Sequence, residues 1–285
     1  MIRAVSPKDA ARICDFKRRK GKTLGLVPTM GALHEGHVKL IRECRKQCSF
    51  LVVSIFVNPA QFGPGEDLAS YPADLKKDMR ICRENGVDMV FTPGAADMYP
   101  ADFETFVEPG RLAAHLCGLK RPGHFRGVAT VVLKLFNIIR PDIAVFGKKD
   151  YQQLAVIKKM ARDLDLTLKI RGVETVRTKS GLAVSSRNRY LSGGELERAA
   201  LLRKSLQEGR LMASRGSSAD AIKRKIRAML KAAGGRIDYV SVCDRESLED
   251  VREVRGKALI ALAVKIGPAR LIDNIEIEGP GSAKK

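Results

Sequence analysis

Residues 51–57, Leu-Val-Val-Ser-Ile-Phe-Val, form an apolar and largely β-branched run that only Ser54 interrupts. A strand with one wet face alternates apolar and polar side chains; a strand covered on both faces does not, so this run predicts a central strand with helices above and below it. The flanking sequence supplies those helices. Ser6-Pro7 reads as an N-cap followed by a residue with preset φ, opening a helix that runs to about Lys20 and stops at Gly21. Further strands are expected at 23–27, 87–91, 143–146 and 166–170, with helices at 36–47, 71–85 (stopped by Gly86), 128–139 and 151–164. Strands alternating with helices of this length build βαβ units, and hence a doubly wound parallel sheet of the Rossmann-like α/β type. After Val176 the rhythm changes. Two basic amphipathic helices (192–214 and 218–233) precede three short strands (239–243, 258–264 and 269–277), the pattern of a smaller C-terminal α+β domain. The expected division is residues 1–175 and 176–285.

Composition narrows the function. No run of about 20 apolar residues is present, so no membrane-spanning helix and no membrane partner are expected. The first 22 residues lack the apolar core of a secretion signal, and a cytoplasmic location is expected. Lys and Arg number 52 against 32 Asp and Glu, a net charge of +20. That excess is shared: residues 1–175 carry 29 basic and 19 acidic side chains, and 176–285 carry 23 and 13. An excess of +10 in each part is a generally basic surface rather than a nucleic-acid arm, and it suits small polyphosphate ligands. With no Trp and 5% aromatic residues, the stacking platforms of an RNA-binding protein are missing, and no nucleic-acid partner is expected. The six cysteines make no CxxC pair and no zinc-ligand spacing, so they read as reduced thiols.

Four segments carry candidate chemistry. Met30-Gly31-Ala32-Leu33-His34-Glu35-Gly36-His37 lies between a strand and a helix, where open α/β sheets present their ligand sites and where a helix N-terminus attracts phosphate. Its two imidazoles can donate to phosphate oxygens, and Gly36 permits close backbone approach. Asn58-Pro59-Ala60-Gln61 follows the most apolar strand and offers amides to the hydroxyl or carboxylate of a small substrate; taken alone it reads as an Asn-Pro turn. Gly147-Lys148-Lys149-Asp150-Tyr151-Gln152-Gln153 opens a helix after a strand, with lysines to neutralise phosphate, Asp150 for ribose hydroxyls and glutamines for substrate; alone it reads as a charged loop. Val184-Ser185-Ser186-Arg187 offers hydroxyls and a forked guanidinium to a polyphosphate.

In this order, together with PGHFRG at 122–127 and ARLIDNI at 269–275, these strings closely resemble the pantothenate synthetase (pantoate–β-alanine ligase) family, within the HxGH nucleotidylyltransferase superfamily. PTMGALHEGH and VNPAQF are specific to that family; HxGH alone is shared by many nucleotidylyltransferases. The resemblance implies that ATP and (R)-pantoate form pantoyl adenylate and diphosphate, and that β-alanine then displaces AMP to give pantothenate. It implies catalytic roles for His34, His37 (the proton donor) and Lys149. ATP would be bound by Met30 through His37, by Gly147, Lys148, Lys149 and Asp150, by Val176, and by Val184, Ser185, Ser186 and Arg187. Gln61 and Gln153 would bind pantoate, Gln61 also β-alanine, and Arg121 and His124 would be further site residues. Residues 1–175 become an ATP/pantoate domain and 176–285 a lid. Mg²⁺ would arrive on the ATP phosphates with no dedicated protein cage, and the enzyme would be a homodimer.

Three positions depart from the family pattern: Lys148 stands where Glu is common, Val184 where Met is common, and an acidic cluster is reduced to Asp74-Leu75-Lys76-Lys77-Asp78. If that cluster orients hydrated magnesium, only Asp78 remains in place for it. The competing readings are a plain adenylyltransferase, which leaves VNPAQF and DYQQ without a purpose, and an RNA-binding protein on a synthetase-like fold.

Overall fold

The computed structural model describes residues 1–280; 281–285, the tail of the expected C-terminal domain, lie outside the described residues. Along the chain run β1 (Ile2–Ala4), α1 (Pro7–Arg19), β2 (Leu24–Thr29), α2 (Glu35–Arg45), β3 (Phe50–Ile55), α3 (Leu75–Glu84), β4 (Met89–Phe91), α4 (Ala95–Met98), α5 (Leu116–Lys120), α6 (His124–Ile139), β5 (Ile143–Gly147), α7 (Tyr151–Asp163), β6 (Lys169–Val173), α8 (Gly193–Ser214), α9 (Ala219–Ala232), β7 (Arg236–Asp244), β8 (Lys257–Ile266) and β9 (Ala269–Glu278). Two compact units result. One comprises Met1–Pro109, Arg121–Lys148 and Gln153–Glu174; the other Gly110–Lys120, Lys149–Gln152 and the described chain from Thr175 onward.

The first unit holds a six-stranded, wholly parallel sheet in the order β1-β4-β3-β2-β5-β6. The chain builds outward from β2 in one direction through β3 and β4, then returns to add β5 and β6 on the other side. That reversal puts the topological switch between β2 and β5, paired through Gly25↔Ile143 and Leu26↔Ala144, and ligands of such sheets bind outside the carboxyl ends at that point. Leu51 and Val53 of β3 join Ile41, Cys44 and Cys82 of α2 and α3 in one core cluster, and alternation sends Val52 to the opposite side, where α6 packs with α1. That is why β3 shows no polar face. Helix α6 is buried along most of its length, as its near-continuous apolar sequence demands.

Ser6 caps α1 by accepting from the Asp9 N–H at 3.1 Å, with Pro7 at the first helical position. Three short elements are not predicted from the sequence: strand β1, which adds to the sheet edge beyond β4, and helices α4 and α5. Elsewhere the differences are at element ends, as where α3 starts at Leu75 because Asp74 caps it by accepting from Lys77 N–H.

In the second unit, α8 and α9 cover one face of the antiparallel sheet β7-β8-β9. Ala199, Leu202, Leu206 and Ala213 of α8 and Ile222, Ile226 and Leu230 of α9 recur at three- and four-residue spacing and meet Ile260, Leu262 and Val264. All six cysteines are free, and burial raises the Cys14, Cys82 and Cys243 thiols to about 12, far from a reactive thiolate.

Candidate active site

At the carboxyl end of β2 the chain turns through Gly31 (φ +85) and Ala32 (φ +51) before α2 begins. Asp78, from α3, lies beneath this turn with 1% of its surface exposed. One carboxylate oxygen accepts the Ala32 N–H at 2.9 Å and the other the Leu33 N–H at 2.8 Å. Burial pushes the Asp78 carboxyl above its ordinary range, against the pull of those two N–H donors. Asp78 therefore holds the turn, and both oxygens of the acid remaining from the expected magnesium-orienting cluster accept backbone N–H groups. Ala32 and Leu33, two of the residues the resemblance assigns to ATP, direct their N–H groups to Asp78, and both are buried.

The two histidines cap α2 reciprocally. His34 is the N-cap, and its Nδ1 accepts the Gly36 N–H at 3.1 Å; His37 Nδ1 accepts the His34 N–H at 3.3 Å. Their rings lie 4.1 Å apart between centroids. Since each Nδ1 is an acceptor, each neutral ring carries its proton on Nε2. The result is two imidazole N–H donors of fixed tautomer at a helix N-terminus. Gly36 is required by space: a Cβ there would lie 2.8 Å from the His34 ring.

Beyond β3 the chain makes a single turn at Pro59–Gln61, capped by Asn58, whose Oδ1 accepts the Ala60 N–H at 3.3 Å and the Tyr99 hydroxyl at 2.8 Å. Asn58 Nδ2 donates to Gln61 Oε1 and to the Gly127 carbonyl, both at 3.1 Å. Gln61 Nε2 reaches Met30 Sδ at 3.0 Å. The candidate pantoate-binding amide thus touches the head of the histidine turn. Helix α6 approaches this turn so closely that a Cβ on Gly127 would fall 2.1 Å from the Ala60 carbonyl oxygen.

Gly147 and Lys148 end the first unit's β5 region, and Lys148 pairs with Glu174. Lys149, Asp150, Val176 and the 184–187 segment belong to the second unit. There the Lys149 carbonyl accepts from Asn274 Nδ2 at 2.9 Å. Residues 176–184 form a narrow loop closed by the Val184 N–H donating to the Val176 carbonyl at 2.9 Å, so these two candidate ATP residues are direct partners. Ser185 caps the turn Ser186–Tyr190. A bidentate ion pair fastens the loop to β9: Arg177 Nη1 and Nη2 donate to the two oxygens of Asp273 at 2.7 and 2.9 Å, and Asp273 is only 3% exposed. Gln152 is buried: it donates to the Leu112 and His115 carbonyls at 2.8 and 2.7 Å and accepts the Cys117 N–H at 2.9 Å, tying a loop rather than offering itself to substrate. Gln153, by contrast, is partly exposed on the first unit.

Asp78, Asp273 and Arg177 were missed as supports by the sequence reading. Asp78 could have been found, since an acid facing inward on an amphipathic helix needs a buried donor.

A parallel sheet with its reversal beside β2, and a His-x-Gly-His turn at that strand's carboxyl end, define a Rossmann-like α/β enzyme of nucleotide-binding type. Comparison with known proteins is more specific. Residues 4–276 match the family model of pantoate-beta-alanine ligase. The pantothenate synthetases of Desulfatibacillum aliphaticivorans and Heliobacterium modesticaldum are 51% and 52% identical, over 92% and 91% of this chain and 94% and 93% of theirs. The solved pantothenate synthetase of Thermus thermophilus superposes with a TM-score of 0.92 at 41% identity, covering 98% of this chain and 100% of that one. The pantoate-beta-alanine ligase of Francisella tularensis, solved with beta-gamma ATP and beta-alanine, does so with a TM-score of 0.81 at 36% identity, covering 96% and 97%. The chain belongs to the pantoate–β-alanine ligase family, and is a ligase.

Proposed function

We propose that this chain's reaction, the ATP-dependent condensation of pantoate with β-alanine to pantothenate, runs through pantoyl adenylate on the residues assembled around β2 and β3. The observation that carries this reading is the contact of Gln61 with Met30: an amide suited to a hydroxy acid lies against a turn suited to a polyphosphate. In the first step a pantoate carboxylate oxygen attacks the α-phosphorus, and the bond to diphosphate breaks. The carboxylate is ionised at neutral pH and needs no base. It needs alignment, supplied by Gln61 and Gln153, and neutralisation of charge on the phosphates. His34 and His37 donate hydrogen bonds through Nε2–H, that of His37 to the departing diphosphate; the family pattern gives Lys149, Ser185, Ser186 and Arg187 to the phosphates as well, and Gly147, Asp150 and Val176 to the nucleoside. In the second step the β-alanine amine attacks the acyl carbon, the acyl–oxygen bond to AMP breaks, and the amine gives up its proton.

Magnesium enters as part of the nucleotide. Among the described residues no group of three or more His, Cys, Asp or Glu side chains could hold a metal. Mg²⁺ supplies charge neutralisation on the phosphates it travels with. Among the described residues no helix is long and apolar enough to cross a membrane. A cytoplasmic homodimer, with residues 176–285 closing as a lid, completes the proposal; sedimentation tests the dimer, and small-angle scattering with and without ATP plus pantoate tests the lid.

Isotopic oxygen placed in the pantoate carboxylate tests the intermediate. Acyl adenylate chemistry carries one labelled oxygen into the phosphate of AMP. AMP free of label would overturn the adenylate route.

A further inference from the structure

Arg121 and His124, at the start of α6, both reach the Gln61 loop. The Arg121 guanidinium grips Glu66 bidentately, through Nε to Oε1 and Nη2 to Oε2, each at 2.6 Å. Nη2 also lies 3.4 Å from the Gln61 carbonyl, and Nη1 lies 3.0 Å from His124 Nε2. Glu66 in turn accepts the Gly63 N–H at 3.2 Å, closing the loop on itself. A guanidinium has donors only, so His124 Nε2 must be the acceptor and carry no proton. The imidazole proton is then on Nδ1, which lies 2.8 Å from the Gln61 carbonyl oxygen and donates to it. Arg121 therefore has its fork occupied and is not arranged to clamp a substrate carboxylate.

We propose that Arg121 and His124 are positioning residues for Gln61: Arg121 sets the tautomer of His124, and the His124 Nδ1–H fixes the Gln61 carbonyl and so the aim of its side chain. The inference rests on Gln61 being the pantoate ligand. Among the described residues the side-chain amide is held by neutral Asn58 and by a thioether sulfur, both weaker restraints than a charge-backed hydrogen bond at the backbone. Chain separation argues for purpose as well: the relay joins residues about sixty positions apart and ends on the turn that bears Gln61.

Steady-state kinetics of the full chain, with pantoate varied at saturating ATP and β-alanine, tests this. His124→Asn retains a donor near the Nδ1 position, whereas His124→Gln retains an acceptor near Nε2. The expected result is a pantoate KM raised about tenfold in His124→Gln with kcat within about threefold, and a KM within about threefold of the parent in His124→Asn, the scale of one positioned hydrogen bond. Arg121→Lys, which offers one ammonium where two partners need a fork, is expected to raise KM in the same direction; it supplies the reading if His124→Gln does not fold. Equal KM values in the Asn and Gln variants, a fall in kcat alone, or no rise in Arg121→Lys would overturn the inference. Gln61→Ala run in parallel separates the two claims. An unchanged pantoate KM there overturns the pantoate reading of Gln61 and this inference with it; a raised KM there beside an unchanged one in His124→Gln overturns this inference alone.

Discussion

The turn after β2 and the loop after β3 leave adjacent strands, and both carry residues assigned to substrate, yet they are held by different physics. The first is fixed from below by one fully buried carboxylate on two backbone N–H groups, and its histidines fix each other through a reciprocal cap. The second is fixed from the side by neutral amides, a guanidinium–carboxylate fork and one imidazole, with Arg121 and Glu66 side chains 17% and 24% exposed. Buried backbone anchoring gives the phosphate-side donors a single geometry. The partly solvated network places Gln61 with weaker and more titratable contacts. In this molecule the histidines proposed to neutralise phosphate charge are preorganised more firmly than the glutamine proposed to bind pantoate.

The largest effects should come from the reacting groups on both sides of that comparison. His37→Ala and Lys149→Ala are each expected to lower turnover at least ~10²-fold, the scale of losing a positioned transition-state group, and Gln61→Ala to lower kcat/KM for pantoate by as much. Near-parental turnover in His37→Ala would remove its assigned role.

Asp78→Ala separates the two regions most sharply in stability. It orphans the buried Ala32 and Leu33 N–H groups, so urea denaturation should show a loss of at least about 2 kcal/mol, with turnover falling as the histidine turn relaxes. A stability change no larger than that of a surface substitution would show that the turn is not held from below. Gly127→Ala strikes the second region through space alone. The new methyl meets the Ala60 carbonyl, and an overpacking cost of about 1–3 kcal/mol is expected, together with a raised pantoate KM from displacement of the Gln61 turn.

Glu66 supplies a pH test. Burial acts to raise its carboxyl, but the hydrogen bonds and charge of Arg121 outweigh burial and hold it below its ordinary value. A depressed carboxyl contributes stability above its unfolded pKa of about 4.3, and that contribution is lost as pH falls through the lower folded value. Denaturation midpoints in that acid range should therefore fall less steeply in Glu66→Gln than in the parent; identical slopes would mean that the fork does not matter to folding. The smallest effect belongs to a control outside both regions. The Arg12–Asp9 pair on α1 is 79% and 51% exposed, and Arg12→Ala should change stability by no more than about 0.5 kcal/mol.

What could be read in the sequence follows the same divide. The alternation of apolar runs and helical periods gives the parallel sheet, because a strand buried on both faces shows no regular polar alternation, and in residues 51–57 only Ser54 interrupts the apolar run. The histidine turn is legible because its parts are contiguous: His34, Gly36 and His37 cap one another within four residues. Supports that cross the chain are not legible in that way. Asp78 meets Ala32 across 46 positions, Arg121 meets Glu66 across 55, and Arg177 meets Asp273 across 96. The sequence does not announce that Asp78 accepts the Ala32 and Leu33 N–H groups, or that Gln152 ties the Leu112, His115 and Cys117 backbone together. Strand β1 was missed for a related reason. Three residues at a sheet edge carry too little pattern to announce themselves, and only pairing with β4 defines them.

The central claim, that two half-reactions run on this one set of residues, is tested most directly by measuring diphosphate and AMP release from Mg·ATP and pantoate with and without β-alanine. The account predicts steady diphosphate release only when β-alanine is present, in equal amounts with AMP and pantothenate, and at most about one equivalent per site without it. Sustained diphosphate release that yields a stable adenylylated product, or none that depends on pantoate, would contradict it.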